Sequence, residues 1–402
     1  MIRKESSQGI GYAVVDLGKA RHVFASALPL QDGDLETQAR DALQTIEAVI
    51  REEGTQGSIV HQAVFLRDIR HRDACRQIMR DFYGNELPAT TYIPQPPCEG
   101  KLLEIEALGV GRGGGEVAIH RYSEQMVVTS HDGIDWVHLA NVLPGTTAAG
   151  VYDRSQDAFR QTCRELASHG YHYDQVLRTW LYLGDIVGPE GDTQRYLELN
   201  RARSDFYHGL CFGNGHLVAG VPRPAYPAST GIGCEGHDVI ISSIALATQR
   251  NDVRLVPLEN PCQTAAFDYA PRYSPQSPKF ARAMAIATGD FVTILVSGTA
   301  SILASETQHV GDIEGQTWQT LDNIAALISA DNLSRHGLPG FAATLDDMAL
   351  VRVYVKRQAD YAEVRDVCRC RLGELPTIYA IADVCRPELL VEIEGIAIAA
   401  RS

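Results

Sequence analysis

No run of apolar residues in this chain approaches the ~18 needed to cross a bilayer. The opening stretch, MIRKESSQGIGYAVVD, carries charges but no long apolar segment, so neither a membrane span nor a secretory signal is expected. Cysteine occurs nine times, an odd count, yet no CxxC is present. Thirteen histidines are scattered without an HExxH. A zinc site needs about four ligands at reachable spacing, and none can be assembled, so no metal is expected. Reduced thiols point to the cytoplasm. Cys368 and Cys370, the nearest pair, fall two apart on a predicted helix and face different ways. Basic residues are also short: 36 Lys and Arg against 50 Asp and Glu leave a net charge of -14. Such a chain repels phosphate backbones and anionic lipid, which argues against nucleic-acid and membrane partners. An anionic ligand would need a few local arginines to overcome that field.

What is present is a chain of 402 residues, 45% hydrophobic and 21% charged. That is too apolar for a disordered protein and long enough for two to three domains. One order of elements recurs three times: strands, an amphipathic helix, a strand, a second helix and a closing strand. In the first unit, apolar residues at helical spacing (Ala39, Leu43, Ile46, Val49, Ile50) predict a helix over 35–53. A strand at 58–66, a helix at 72–83 and a closing strand at 101–110 follow. The second unit repeats this with helices at 155–168 and 193–207 and strands at 175–183 and 238–247. The third has strands at 291–296, 350–355 and 389–398 and helices at 312–329 and 360–372. The two closing strands LLEIEA and LLVEIEG share an apolar-Glu-Ile-Glu-small pattern. A period near 130 residues is too long for a solenoid. It predicts an α+β chain of three small units, 1–114, 115–250 and 251–402, each a sheet covered by two helices. The uncovered sheet faces can pack inward around a pseudo-threefold axis, so one chain imitates a trimer and is expected to be a monomer. The glycine-rich GVGRGGG (109–115) matches a loose GxGxxG, but EVAIHRYS after it reads as a strand, so a linker is expected rather than a phosphate loop.

The third unit, with its closing VEIEG, resembles the RidA/YjgF superfamily, which forms trimers with ligand pockets between subunits. From about Gly115 to the C-terminus the chain more narrowly resembles the chorismatases. The matching stretches are PASTGIG (227–233), ENP (259–261), DYAPRYSPQSPKFARA (268–283), SGTAS (297–301), HVGD (309–312) and DVCRPELLVEIEG (383–395). The residues before about Leu87 have no evident counterpart on the usual chorismatase chain. The resemblance implies cleavage of chorismate, a dianion bearing an enolpyruvyl ether, without metal or organic cofactor.

Protonating the vinyl methylene of such an ether needs a well-placed general acid, and a carboxylic acid kept neutral by burial is suited to it. Glu392, the first glutamate of VEIEG, matches the catalytic glutamate of the family. Alternation places Glu392 and Glu394 on one strand face, where each raises the other's proton affinity. A solvated strand face or a salt bridge would account for the pair equally well from sequence alone. Glu104 and Glu106 repeat the pattern in the first unit without the surrounding motifs, and a structural role is expected there. Arg282 matches a substrate-binding arginine of the family, and Tyr269 and Tyr273 match tyrosines of the same pocket. Thr299, in SGTAS, is a further substrate-binding candidate. Arg203 is the weakest, since its helix position fits a solvated face. Gly298 with Cys385 resembles the subtype that forms 3-hydroxybenzoate, whereas alanine at both resembles the hydrolysing subtype. A close variant of the family also forms 4-hydroxybenzoate. Aligning on VEIEG puts Thr377, and in the first unit Thr90, where imine deaminases of the superfamily carry an arginine, so imine deamination is not expected. The alternative reading is a RidA-fold binding protein without catalysis.

Overall fold

The computed structural model of the chain describes residues 2–53, 58–146, 150–213, 215–221, 224–269 and 276–401. Three six-stranded sheets follow one another along the chain. The first consists of β1 (Arg3–Ser7), β2 (Ile10–Leu17), β3 (Ala20–Ala27), β4 (Ser58–Leu66), β5 (Ala89–Ile93) and β6 (Leu103–Arg112), in the order β1-β2-β3-β6-β4-β5. The second has β7 (Ala118–Arg121), β8 (Met126–His131), β9 (Ile134–Val142), β10 (Val176–Gly184), a two-residue hairpin β11 (Pro189–Glu190) and β12 (Thr193–Gln194), then β13 (Ala228–Cys234) and β14 (Val239–Thr248). Its order is β7-β8-β9-β14-β10-β13. The third has β15 (Arg254–Leu258), β16 (Ala283–Thr288), β17 (Phe291–Ala300), the short hairpin β18 (Ile302–Leu303) and β19 (Glu306–Thr307), then β20 (Met348–Val355), β21 (Thr377–Ile381) and β22 (Val391–Ala400). Its order is β15-β16-β17-β22-β20-β21. Each sheet is therefore a three-strand meander, a closing strand, and a pair that is parallel at the edge. The parallel edge strands β5, β13 and β21 are absent from the sequence-based expectation. They are short, and PASTGIG reads as a turn-rich motif rather than as the strand β13.

Helices cover one face of each sheet: α1 (Leu35–Glu52) and α2 (Arg72–Tyr83) on the first, α3 (Val151–Ser168) and α4 (Arg195–Tyr207) on the second, and α5 (Ile313–Ile328), α6 (Ala330–Arg335) and α7 (Tyr361–Leu372) on the third. The helix α1 starts where Asp34 accepts the Thr37 N–H at 2.9 Å, and α5 where Asp312 accepts that of Gly315 at 3.0 Å. Their apolar stripes, such as Leu43, Ile46 and Ile50 on α1, fill the three outer cores. On α7, Cys368 is buried and Cys370 exposed, as their spacing predicts. The glycine-rich stretch continues β6 as far as Arg112 and reaches β7 without a helix, so it is a linker. No helix among the described residues is long and apolar enough to cross a membrane.

The uncovered faces meet one another. Phe65 and Ile93 of the first sheet, Trp180, Tyr182 and Ile232 of the second, and Tyr354 and Ile378 of the third share one central core. Smaller cores join the sheets in pairs. Backbone bonds stitch the seams: Ala281 N–H to the Pro227 carbonyl at 3.1 Å between the third and second sheets, and Ile381 N–H to the Pro96 carbonyl at 2.8 Å between the third and first. The closing strand has a register shift at the same place in all three sheets. In the third, the close approach of β20 accounts for the glycine of VEIEG. A Cβ on Gly395 would lie 2.4 Å from the Leu350 carbonyl oxygen.

Candidate active site

A cavity of about 280 Å³ opens between the second and third sheets. Tyr196, Asn200 and Arg203 of α4 and Ser229 and Gly231 of β13 line one side. Gly298 of β17, Glu392 of β22, Arg282 and Cys385 line the other, with Tyr269, Phe280, Arg386 and Glu388 along the wall. Six residues proposed from sequence thus converge from three stretches of the chain: Glu392, Cys385, Gly298, Arg282, Tyr269 and Arg203. Tyr273 lies outside the described residues. Thr299 is not on the cavity wall. It follows Gly298 in β17, is buried, and gives its hydroxyl to the Ser297 carbonyl at 2.9 Å. Strand alternation turns one of two successive residues away, so the motif that holds Gly298 at the cavity removes Thr299 from it.

Glu392 is 5% exposed and Glu394 2%, so the solvated-face reading fails for both. The two carboxyls have opposite environments. Oε1 of Glu394 accepts from Trp180 Nε1 and Tyr354 OH, each at 2.8 Å, and from Arg352 Nη1 at 3.2 Å. Its Oε2 accepts from Arg178 Nη2 and the Thr230 hydroxyl. Burial disfavours its charge, but the two arginines and these donors outweigh that and hold it below the usual carboxylate range. Glu392 lacks such a clamp. Burial first, and the neighbouring Glu394 charge second, push it up to about 8, against the opposing pull of Arg178 and Arg282. It is therefore predominantly a neutral carboxylic acid at pH 7.

Gly298 makes room for that acid. A Cβ there would fall 2.0 Å from Glu392 Oε1. The strand β17 is irregular against β22 between Val296 and Thr299, and the Gly298 N–H donates instead to Thr230 Oγ1 of the second sheet at 2.9 Å. The Cys385 thiol is pushed up to about 12, chiefly by burial and then by Glu392, so it is a protonated thiol rather than a thiolate. Its use as a nucleophile requires a base.

Both arginines are buried, Arg203 at 1% and Arg282 at 4% exposure, which corrects the solvated-face expectation for Arg203. Arg203 Nη2 donates to Asn200 Oδ1 at 2.5 Å and Nη1 to Ser229 Oγ at 3.2 Å. Arg282 Nη2 donates to the Thr264 carbonyl at 2.9 Å and to Tyr269 OH at 2.6 Å. Phe280 has a guanidinium carbon of each arginine 5.5 Å from its ring centre. Each arginine keeps a buried Nε without a partner among the described residues, as does Asn200 at Nδ2. Buried donors of this kind cost free energy unless a ligand accepts from them. Two cations with spare donors, from two different sheets, suit a ligand with two anionic groups. Tyr196, Asn200, Ser229 and Phe280 escaped the sequence reading. The polar residues buried on α4 leave that helix without a clean apolar stripe, and this irregularity was the available signal. Among the described residues, no group of three or more His, Cys, Asp or Glu is placed to hold a metal ion.

A family model described as Endoribonuclease L-PSP matches residues 23–110. A 3-hydroxybenzoate synthase of Streptomyces hygroscopicus is 34% identical over 277 residues, covering 67% of this chain and 76% of that protein. A chorismatase of Streptomyces rapamycinicus is 34% identical over 276 residues, covering 66% and 78%. The solved structure of a chorismatase superposes with a TM-score of 0.67 at 23% identity, over 95% of this chain and 99% of that one. The superposition thus takes in most of the first sheet, the part whose counterpart on the chorismatase chain was not evident from sequence.

Proposed function

The chain belongs to the chorismatase family, and from that premise we propose that it cleaves the enolpyruvyl ether of chorismate to 3-hydroxybenzoate and pyruvate, with Glu392 as the general acid. The observation that carries this reading is a neutral carboxylic acid in a cleft beside two buried arginines with unused donors. Arg203 and Arg282 hold the substrate's two carboxylates, and Tyr269 lines the same pocket. Thr299 supports Gly298 from behind.

Glu392 gives its proton to the terminal methylene of the enolpyruvyl group, which becomes a methyl group while the ether carbon becomes an oxocarbenium centre. The ring carbon–oxygen bond then breaks, and its electrons form the keto group of pyruvate. Chorismate has the same composition as 3-hydroxybenzoate plus pyruvate, so this outcome consumes no water, whereas a dihydrodiol requires one. The ring's own hydroxyl must take the place of water: its oxygen bonds to the carbon that loses the ether oxygen and returns its proton to the Glu392 carboxylate, its bond to its original carbon then breaks, and the accepting carbon's hydrogen leaves as a proton while the oxygen gains one, which makes the ring aromatic. Gly298 lets Glu392 lie against the β17 backbone. Once Glu392 is a carboxylate, it is a base next to the Cys385 thiol. General acid catalysis of this kind contributes about 10²–10⁴-fold.

The fold supports a further part of the reading: three tandem RidA-like units, 1–114, 115–250 and 251–402, form a pseudo-trimer in a monomeric chain. The shared strand order and the common central core argue for it. The test is incubation with chorismate, following pyruvate by a coupled dehydrogenase and the ring product by chromatography. Pyruvate with 3-hydroxybenzoate is expected. Pyruvate with a dihydrodiol or 4-hydroxybenzoate would overturn the product assignment, and chorismate binding without pyruvate would overturn the catalytic reading.

A further inference from the structure

Behind the acid lies a buried cluster of four charges that draws on all three sheets. Glu106 of β6 takes two hydrogen bonds from Arg352 of β20, Nε to Oε2 at 2.6 Å and Nη2 to Oε1 at 2.7 Å. The third donor arm of Arg352, Nη1, reaches Tyr182 OH at 2.9 Å and Glu394 Oε1 at 3.2 Å. Arg178 of β10 closes the other side of Glu394. The guanidinium carbons of Arg178 and Arg352 lie 4.6 and 5.0 Å from the Trp180 ring centre. All four charged groups are at most 4% exposed. Two positive and two negative groups cancel, and Glu106, the contribution of the first sheet, completes the balance. Thr230 links the cluster to the cavity: its hydroxyl donates to Glu394 and accepts from the Gly298 N–H, on which the Glu392 carboxyl rests.

We propose that this cluster governs the proton on Glu392: Glu394 and, through Arg352, Glu106 are positioning residues, and by this route the first sheet controls a pocket to which it contributes no wall among the described residues. The inference rests on the reading of Glu392 as the acid. Its physical basis is that arginine cannot lose its charge to relieve an imbalance. Removing either glutamate charge therefore leaves a net positive cluster in a low-dielectric interior, and a positive field favours the carboxylate form of Glu392. The groups facing Glu392 are Glu394 on its own strand, Arg178 from β10, Arg282 and Cys385 from the flanking segments, and Tyr196 and Arg203 from α4. Tyr269, Arg386 and Glu388 continue the wall. Of these, Glu394 is the one anion held ionised by the cluster.

The experiment is the pH profile of kcat/KM for chorismate in Glu106→Gln, Glu394→Gln and the charge-neutral double variant Glu106→Gln with Arg352→Met. The alkaline limb is expected to move down by about one unit in Glu106→Gln, a loss of about fivefold at pH 8, and by about two units in Glu394→Gln. The double variant is expected to return most of the way to the wild-type limb, which a merely structural role would not produce. A limb that stays in place in Glu106→Gln, or that moves equally in the double variant, would overturn the proposal. The infrared carbonyl band of protonated Glu392, identified by its loss in Glu392→Gln, reports the same titration without turnover. Should Glu106→Gln not fold, this band in Glu394→Gln and in the double variant decides. If the wild type releases no pyruvate, the reading of function fails, while the band still tests the coupling.

Discussion

The chain contains the same strand motif twice, and its two leading glutamates have different surroundings: Glu392 lines the cavity between the second and third sheets, whereas Glu104 is not on that cavity's wall. Glu104 of β6 pairs in register with Phe65 and Glu106 with Ala63, just as Glu392 of β22 pairs with Tyr354 and Glu394 with Arg352. Glu104 is buried and pushed well above the usual carboxylate range, by burial first and then by Glu99. A cysteine precedes each: Cys98 and Cys385, both thiols pushed up with the neighbouring glutamate as a contributor. Around Glu104, however, the seam is closed. Cys98 N–H bonds to the Tyr379 carbonyl at 2.9 Å, and its side chain is packed into the core of the third layer. Around Glu392 the seam carries the cavity, two arginines and the glycine that seats the carboxyl. A neutral buried acid is thus what the repeated strand readily produces. The cleft and its cations turn one of them into a site.

The sharpest way to break this contrast is to remove each acid in turn. Glu392→Gln is expected to lower pyruvate release by about 10³-fold or more, and Glu104→Gln to leave it within about twofold, in a coupled assay on folded protein. Comparable losses in both would show that the repeats act together. The next effect concerns the cations. Arg203→Met and Arg282→Met are each expected to lower kcat/KM by about 10–100-fold, most of it in KM, since each removes charge-assisted bonds to a substrate carboxylate. The product should respond at Gly298. Gly298→Ala with Cys385→Ala is expected to shift the ring product toward the dihydrodiol while pyruvate release continues, because the new Cβ displaces the Glu392 carboxyl. An unchanged product ratio on chromatography would remove these two positions from the account.

The smallest effect is on stability, and here the two acids should agree. A carboxyl raised in the folded state contributes fully below its unfolded value near 4.5, and that contribution is lost as pH rises through the folded value, about 8 for Glu392. Glu392→Gln and Glu104→Gln should therefore raise the melting temperature relative to wild type at pH 8 and lose that advantage at pH 4. Thermal melts at the two pH values check the sign.

Much of the fold was legible because helices α1, α2, α5 and α7 and the closing strands carry clear periodicity, with boundaries within a few residues. The edge strands β5, β13 and β21 were not, since five to seven residues without alternation resemble loops. In the site, Glu392, Arg282, Tyr269, Gly298 and Cys385 lie in contiguous motifs that the family resemblance marks. Arg203 and Asn200 come from a helix of another sheet, and only the packing of β13 against β17 brings them to the same cavity. The cluster of Arg178, Arg352, Glu106 and Glu394 was equally hidden. Its members are separated by up to 288 positions and meet only where three sheets converge.

Catalysis by Glu392 requires it to act as a neutral acid, and the pH dependence of kcat/KM for chorismate in the wild-type protein tests this most directly. The predicted profile is level from pH 6 to 7 and descends with a midpoint near 8, as Glu392 loses its proton. A profile that instead rises through pH 4–5 to a plateau above would mark an ionised carboxylate as the active form and contradict the account.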